Sequence, residues 1–165
     1  MKKVAVVMGS ASDAALAKDA LKTLNQFGVP YTARVLSAHR SPDEAAAFAK
    51  GAKAEGYGAI IALAGKAAHL AGVLASHTIL PVIGVPVSAK DLGGLDALLA
   101  TAQMPSGIPV ASVAIDGATN AALLAIRILA LEDETLAELL QNHARSLAAK
   151  TAEADAALQK EIEGL

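Results

Sequence analysis

The sequence contains no cysteine and no tryptophan, and its 165 residues include only two tyrosines and two phenylalanines. Without cysteine, a disulfide framework, thiolate chemistry and a zinc-thiolate site are all excluded. Aromatic residues make up 2% of the chain and hydrophobic residues 54%. We therefore expect a core built from Ala, Val, Leu and Ile.

Long runs of like charge and long apolar runs are also missing. The formal net charge is -2, and a nucleic-acid binder is expected to present a basic stripe, so we expect no nucleic-acid partner. Gly, Pro or charged residues interrupt every apolar run well before the ~18 residues of a membrane span, so we expect no membrane partner. The first residues, MKK, lead directly into a strand-like run, so we expect no amino-terminal signal and a soluble cytoplasmic protein.

Apolar strands alternate with helical patterns along the chain. The run KKVAVVMGS predicts a first strand, and a helical pattern follows from Asp13 until FGVP ends it. The run YTARVLS predicts a second strand, which is followed by a helix to about Glu55. GAIIALAG leads into a helix that holds His69, LPVIGVPV follows, and SAKDLGGLDALLATAQMPSG predicts a short helix and a loop. A fifth strand is predicted at IPVASVAI, before a helix over about 119–131. Continuous apolar strands separated by helices predict an α/β fold with a parallel five-stranded sheet covered on both faces.

The last helix is predicted over about 133–162, after a core over about 3–131, and we expect both to belong to one domain, residues 1–165. Its apolar residues recur at roughly helical period at Leu136, Leu139, Leu140, Ala144, Leu147, Ala154, Leu158 and Ile162. This helix is long for so small a sheet, and its second half has nothing left to cover. Because an exposed apolar stripe marks an interface, we expect it to reach onto a neighbouring copy of the chain.

Small and polar residues gather where the predicted strands end, which is the rim at which open parallel sheets bind ligands. Strand four brings GVPVSAK, residues 84–90, to this rim, and strand one ends in GSASD, residues 9–13. Ser and Asp before a helix are ordinary caps, but free N–H groups and hydroxyls at a helix start also hold phosphate. The fingerprints of a Walker loop and of a dinucleotide fold are absent. Both interpretations of this segment stay open.

Strand two ends in SAHRSPD, residues 37–43. Ser41, Pro42 and Glu44 form a signature of a helix start that needs no function. Arg40 could grip a phosphate in bidentate fashion with the Ser37 hydroxyl beside it, or it could be an ordinary solvated side chain.

Strand three ends in AGKAAHLAG, residues 64–72, with a lone histidine. His69 follows a central strand, has Gly and Ala neighbours that leave space, and lies near a helix start whose dipole favours the neutral imidazole. These features favour a proton-transfer site over a surface or core residue. His77 and His143 lack this setting, and we interpret both as helix-surface residues.

Six segments in register carry a family resemblance: VVMGSASD, VLSAHRSPD, AGKAAHLAG, LPVIGVPV, QMPSGIPVASVAI and NAALLA. From Val4 to about Leu131 the chain resembles the aminoimidazole ribonucleotide (AIR) carboxylase family of purine biosynthesis. Within it the chain is most similar to the class I mutases, which interconvert the two carboxyaminoimidazole ribonucleotide isomers by decarboxylation and recarboxylation. The resemblance implies a flavodoxin-like three-layer α/β/α fold, an octamer, no cofactor and no metal.

The resemblance also implies a role for each site residue. Ser12, Ser37 and Arg40 match phosphate-binding residues, and Asp13 matches the residue that holds the ribose hydroxyls. His69 matches the essential histidine, the general acid and base, and Ser10 and His39 match residues that line the site, where we count His39 as catalytic too. The remaining predicted substrate contacts, including small residues able to wall a pocket for carbon dioxide, are Ala38, Gly65, Lys66, Ala67 and Leu70.

Two residues depart from the class I pattern Gly-Gly-Ala-Ala-His-Leu-Pro-Gly: Lys66 replaces the second glycine and Ala71 the proline. The class II carboxylases, which use free carbon dioxide, carry a basic residue at the position of Lys66, but they follow it with Ser-Asn and lack Ala-His-Leu. A direct carboxylase is therefore the alternative.

A non-enzymatic nucleotide- or phosphate-binding module is a remote third candidate, because a fold does not fix a function. Tyr31 and Tyr57 do not end strands, as flavin binding would require, and Met8 and Ala64 stand where a phosphorelay receiver needs acidic residues.

Overall fold

The computed structural model describes residues 1–164, and its strands form one five-stranded sheet in the order β2-β1-β3-β4-β5. The strands are β1 (Lys3–Met8), β2 (Tyr31–Val35), β3 (Tyr57–Gly65), β4 (Val82–Val87) and β5 (Ala111–Ser112). Every pair is parallel. The predicted parallel sheet is confirmed.

Helices connect successive strands, and a 3-10 turn (Ala11–Asp13) precedes the first of them. They are α1 (Ala14–Gln26), α2 (Pro42–Ala52), α3 (Leu70–Ser76), α4 (Leu95–Ala102), α5 (Ala118–Leu129) and α6 (Glu134–Ile162). Among residues 1–164, none of these helices is both long enough and apolar enough to cross a membrane.

The sheet separates two apolar clusters, because alternate residues of a strand point to opposite faces. Val4, Val6 and Met8 of β1 pack with α1 and α5 on one face, and the cluster also holds Leu136 of α6. Ala5 and Val7 point the other way, onto α2 and α3. The result is the predicted three-layer, flavodoxin-like arrangement, with a core rich in alanine and branched residues.

Two local predictions were wrong. The fifth strand is two residues long rather than the eight of IPVASVAI, because Pro109 has no N–H for the ladder and the chain turns away at Asp116, whose φ is +57°. His69 is not inside a helix: it is the residue before α3, after a turn in which the His69 N–H donates to the Ala67 carbonyl at 2.8 Å.

The last helix begins after Asp133, whose carboxylate accepts a hydrogen bond from the Leu136 N–H at 3.1 Å. Leu136 is its one buried residue, and every residue from 144 to 164 is exposed. His143 keeps one contact with its own subunit, an edge-to-face packing on Phe27. The second half of α6 therefore covers nothing in its own chain, as the sequence predicted.

Candidate active site

The carboxyl end of β1 carries a cluster of two hydroxyls and a carboxylate. The Ser10 hydroxyl caps the 3-10 turn by accepting from the Ser12 N–H at 3.3 Å. The Ser12 hydroxyl lies 2.9 Å from Ser10 Oγ and 3.1 Å from Asp13 Oδ1. Asp13 makes no capping bond to α1, so an ordinary helix cap does not account for its carboxylate.

Burial disfavours the charged form of Asp13. Desolvation raises the pKa of this carboxyl above its ordinary value of 3.8, and hydrogen bonds from Ser12 and Ser10 oppose the rise. A half-buried carboxylate that accepts few hydrogen bonds from its own chain has acceptor capacity left for the hydroxyls of a ligand.

The carboxyl end of β2 forms a tight turn around the Ser37 hydroxyl. Ser37 Oγ accepts from the N–H groups of His39 at 3.3 Å and Arg40 at 3.1 Å. The Ser41 hydroxyl accepts from the Ser37 N–H at 2.9 Å and makes no capping bond to α2. Because Ser37 Oγ accepts twice from the turn, its own O–H stays free to donate to a ligand.

Arg40 reaches across to the end of the neighbouring strand. Its Nη2 donates to the Gly9 carbonyl at 3.1 Å. The guanidinium is therefore held beside the serine cluster of β1, and the remaining N–H donors of its planar fork are available to an anion.

Two histidines from different strand ends meet at the rim. His39 Nε2 lies 2.9 Å from His69 Nδ1, and the rings pack edge to face with centroids 5.0 Å apart. A bond between two ring nitrogens requires one to donate and the other to accept, so each ring sets the tautomer of its neighbour. The pair can pass a proton from one ring to the other.

The ends of β1, β2, β3 and β4 surround a cavity of about 510 Å³. All predicted site residues except His69 line it: Ser10, Ser12, Asp13, Ser37, Ala38, His39, Arg40, Gly65, Lys66, Ala67 and Leu70. His69 reaches the cavity through its bond to His39. Within residues 1–164 no three His, Asp or Glu side chains converge as the ligands of a metal ion.

The end of β4 supplies a further wall, from the segment GVPVSAK that we expected at this rim but in which we predicted no site residue. Val87, Ser88 and Ala89 line the cavity, as do Gly9 and Ala64. The Ser88 N–H donates to Asp116 Oδ1 at 2.9 Å, and Lys66 Nζ lies 2.5 Å from Asp91 Oδ2. Strand direction placed GVPVSAK at the rim, but no side chain in it suggested a chemistry, so its residues were not predicted as site residues.

A model of the AIR carboxylase family matches residues 3–150. The chain belongs to the AIR carboxylase family. The resemblance drawn from its six segments is thereby confirmed.

Similar members of the AIR carboxylase family match over almost the whole chain. An N5-carboxyaminoimidazole ribonucleotide mutase of Pyrococcus horikoshii is 52% identical over 150 residues, 91% of this chain and 85% of that protein. The protein of the same name from Brucella melitensis is 53% identical over 152 residues, 91% and 94% of the two chains. A chloroplastic phosphoribosylaminoimidazole carboxylase of Vigna aconitifolia is 52% identical over 130 residues, which are 79% of this chain but 23% of that longer protein.

Solved structures agree with the AIR carboxylase assignment. PurE from Treponema denticola superposes with a TM-score of 0.85 at 32% identity, covering 93% of this chain and 96% of that one. A 3-dehydroquinate dehydratase-like protein from Bifidobacterium longum has a TM-score of 0.51 at 16% identity over 79% of this chain and 99% of that one, and shares the fold alone.

Proposed function

We propose that this chain is a mutase of purine biosynthesis that converts 5-(carboxyamino)imidazole ribonucleotide into 4-carboxy-5-aminoimidazole ribonucleotide. The observation that carries the proposal is the identity of about half of all residues to proteins of that name over nearly their full length. The cavity supports it, because an arginine, free hydroxyls, a carboxylate and His39 of the histidine pair face one space.

The substrate phosphate binds between the ends of β1 and β2. Arg40 lies beside the serines of β1 through its bond to the Gly9 carbonyl, and the O–H of Ser37 is free to donate. Charge-assisted bonds from a guanidinium, with hydroxyl donors such as Ser12 beside it, suit a phosphate monoester. Asp13 accepts from the ribose hydroxyls.

The reaction moves a carboxyl group and returns every proton. The bond between the exocyclic nitrogen and the carboxyl carbon breaks, carbon dioxide is released into the cavity, and the nitrogen takes a proton from the histidine pair. The nucleophilic ring carbon then attacks the carbon dioxide, and its proton goes back to the pair. A group that first gives and then takes a proton needs a pKa near the working pH, which imidazole has.

His39 is the ring of the pair that meets the substrate. The resemblance gave the essential role to His69, but His39 lines the cavity, whereas His69 is exposed and contacts His39 at 2.9 Å. His39 Nε2 is occupied by His69, so Nδ1 of His39 exchanges the proton with the ligand. His69 then supplies or receives the proton on the far side of the ring and fixes its tautomer.

Carbon dioxide is retained by small residues beside the pair. Gly65, Ala67 and Ala38 line the cavity without filling it. A space that holds carbon dioxide next to the ring carbon replaces a bimolecular encounter with an oriented one, which is how positioning accelerates a reaction.

The deciding experiment supplies each substrate in turn to the purified chain. We expect turnover of 5-(carboxyamino)imidazole ribonucleotide without added bicarbonate, in both directions. Turnover that requires aminoimidazole ribonucleotide and carbon dioxide identifies the alternative, a direct carboxylase. The chloroplastic relative carries a carboxylase name, and Lys66 is the basic residue expected of that class. Binding of either nucleotide with no turnover identifies the non-enzymatic module.

Assembly into an octamer is also part of the proposal. Leu147, Leu158 and Ile162 of α6 each expose about half of their surface, and apolar exposure of that extent along one helix marks an interface. The cytoplasmic location expected from the sequence stays a prediction.

Truncation after Lys150 tests the assembly, because residues 3–150 match the family and the exposed end of α6 is removed. We expect a smaller assembly in size-exclusion chromatography with light scattering, and a lower Tm because subunit association stabilises the folded state. A full-length chain that is monomeric at micromolar concentration and still active contradicts the assembly.

A further inference from the structure

Lys66 has a backbone conformation that lysine rarely adopts. Its φ is +50°, and within residues 1–164 Asp116 is the only other residue besides glycine with a positive φ. Left-handed backbone at a residue with a Cβ is unfavourable and persists where surrounding contacts hold it. Both residues lie at the rim of the candidate active site, and each contacts the same segment of chain.

That segment, residues 88–94, connects β4 to α4, and its first two residues, Ser88 and Ala89, line the cavity. Its first residue is fastened by the bond from the Ser88 N–H to Asp116, and a turn bond joins the Gly93 N–H to the Ala89 carbonyl at 2.9 Å. It ends at Gly94, which like Gly93 has a positive φ. Apart from half-buried Ala89 and buried Gly94 the segment is exposed, so few buried contacts hold it in place.

Lys66 supplies the second fastening. Its Nζ lies 2.5 Å from Asp91 Oδ2, and this ion pair joins the turn after β3 to the middle of the segment. The carboxylate raises the pKa of Lys66 above its ordinary value, so the ammonium stays charged. Both side chains expose about two thirds of their surface, so the pair is open to water and screened by salt.

We propose that Lys66 is a positioning residue of the site: its ion pair with Asp91 holds segment 88–94 in place and so positions Ser88 and Ala89, the residues of the segment that line the cavity, for the ligand. The inference rests on the proposed function for its effect on substrate. It assigns Lys66 a partner in the protein, whereas a lysine in direct contact with the substrate carboxylate would act without Asp91.

The experiment compares Lys66→Met, Asp91→Asn and the exchanged pair Lys66→Asp with Asp91→Lys. Lys90→Met is the matched control, because Lys90 is an exposed lysine of the same segment. Hydrogen exchange of the segment in the free protein reports its local opening. Because the ion pair is exposed, we expect amide hydrogen exchange of the segment to be about two- to five-fold faster in either single variant. The double variant with swapped charges and the Lys90→Met control should show the wild-type rate.

Kinetics provide the second measurement. KM for the ribonucleotide should rise about two- to five-fold in the single variants, with kcat within about two-fold of wild type, and the exchanged pair should restore KM. Unchanged hydrogen exchange in Asp91→Asn overturns the proposal. The proposal is also overturned if the double variant with swapped charges restores the wild-type rate of hydrogen exchange but not the wild-type KM, because Lys66 then contacts the substrate itself. If the wild-type chain turns over neither substrate, the proposed function fails, while the exchange data still decide whether the ion pair holds the segment.

Discussion

Cavities open at both ends of the parallel strands, and their linings differ more than their volumes. The cavity at the carboxyl ends measures about 510 Å³. The one at the amino ends, beside the starts of β1, β3 and β4, measures about 750 Å³. The larger cavity is lined mainly by apolar residues and glycines, and its four charged residues, Lys2, Lys53, Glu132 and Asp133, include the exposed ion pair of Lys2 with Glu132. Volume alone would select the wrong end of the sheet.

The difference follows from the direction of the chain. In a parallel sheet every strand enters at one rim and leaves at the other, so the loops that precede helices collect at the carboxyl end. Those loops present unpaired N–H groups and the positive ends of helix dipoles. The amino rim receives helix carboxyl ends instead, such as the end of α5, and the two lysines that line its cavity, Lys2 and Lys53, are offset there by the carboxylates of Glu132 and Asp133.

The largest effect expected at the carboxyl rim is that of His39→Asn. General acid and base groups supply about 10²–10⁴ in rate, so kcat should fall about 100-fold or more with Tm unchanged. His69→Asn, which removes the ring that contacts His39, should lower kcat by no more than His39→Asn does. Steady-state kinetics of both variants decides the order. A greater loss in His69→Asn would make His69 the ring that meets the substrate.

Arg40→Ala should act on binding. Loss of a charged hydrogen bond to phosphate removes about 1.5–3 kcal/mol, so KM should rise about 10- to 150-fold with kcat little changed. Arg40→Lys is the matched control, since it keeps the charge but loses the planar fork, and it should recover part of KM. An unchanged KM in Arg40→Ala would place the phosphate elsewhere.

Asp13→Asn separates stability from binding at the same rim. The pKa of Asp13 is raised in the folded chain, so ionisation of this carboxyl opposes folding. Its contribution to the stability of the folded state is fully present below the ordinary pKa of 3.8. That contribution is lost as the pH rises through the pKa of the folded chain. The variant should therefore be more stable than wild type at neutral pH and equally stable in acid, while its KM rises.

Thermal unfolding across the acid range, with substrate titrations at neutral pH, measures both effects of Asp13→Asn. A variant less stable than wild type at neutral pH would show that the hydrogen bonds from Ser12 and Ser10 outweigh the burial of the carboxylate.

Lys2→Met should have the smallest effect, because it alters only the amino-end cavity. Its ion pair with Glu132 lies on the surface, where such pairs contribute little. We expect kcat and KM within about two-fold of wild type in the same assay as above. A larger change in kcat/KM would show that the two ends of the sheet are coupled.

The strands and helices, and the carboxyl edge of the sheet as the place of the site, could be predicted because both depend on local sequence pattern. Apolar runs and Gly or Pro breaks gave the strand and helix order, and strand direction placed Asp13, Arg40 and His39 at one edge. The bond between His39 and His69 joins residues thirty positions apart, and the pair of Lys66 with Asp91 depends on how two turns are placed in space. No local pattern encodes either contact. β5 was predicted too long because the apolar pattern of IPVASVAI was given more weight than Pro109, which has no N–H for the ladder, and did not show the turn at Asp116.

The strand order also sets a schedule for folding. Val6 of the central strand β1 pairs with Ala33 on one side, but on the other side with Ile61, fifty-five residues later. At ~5–20 residues per second of synthesis, β1 waits roughly 3 to 11 seconds for that partner to be made. Strands paired over this distance form slowly even in the complete chain, because the entropy of loop closure is lost before the contacts that stabilise the pair can form. The span between β1 and β3 thus fixes how long a strand that is almost wholly buried in the finished protein stays open to aggregation or to a chaperone.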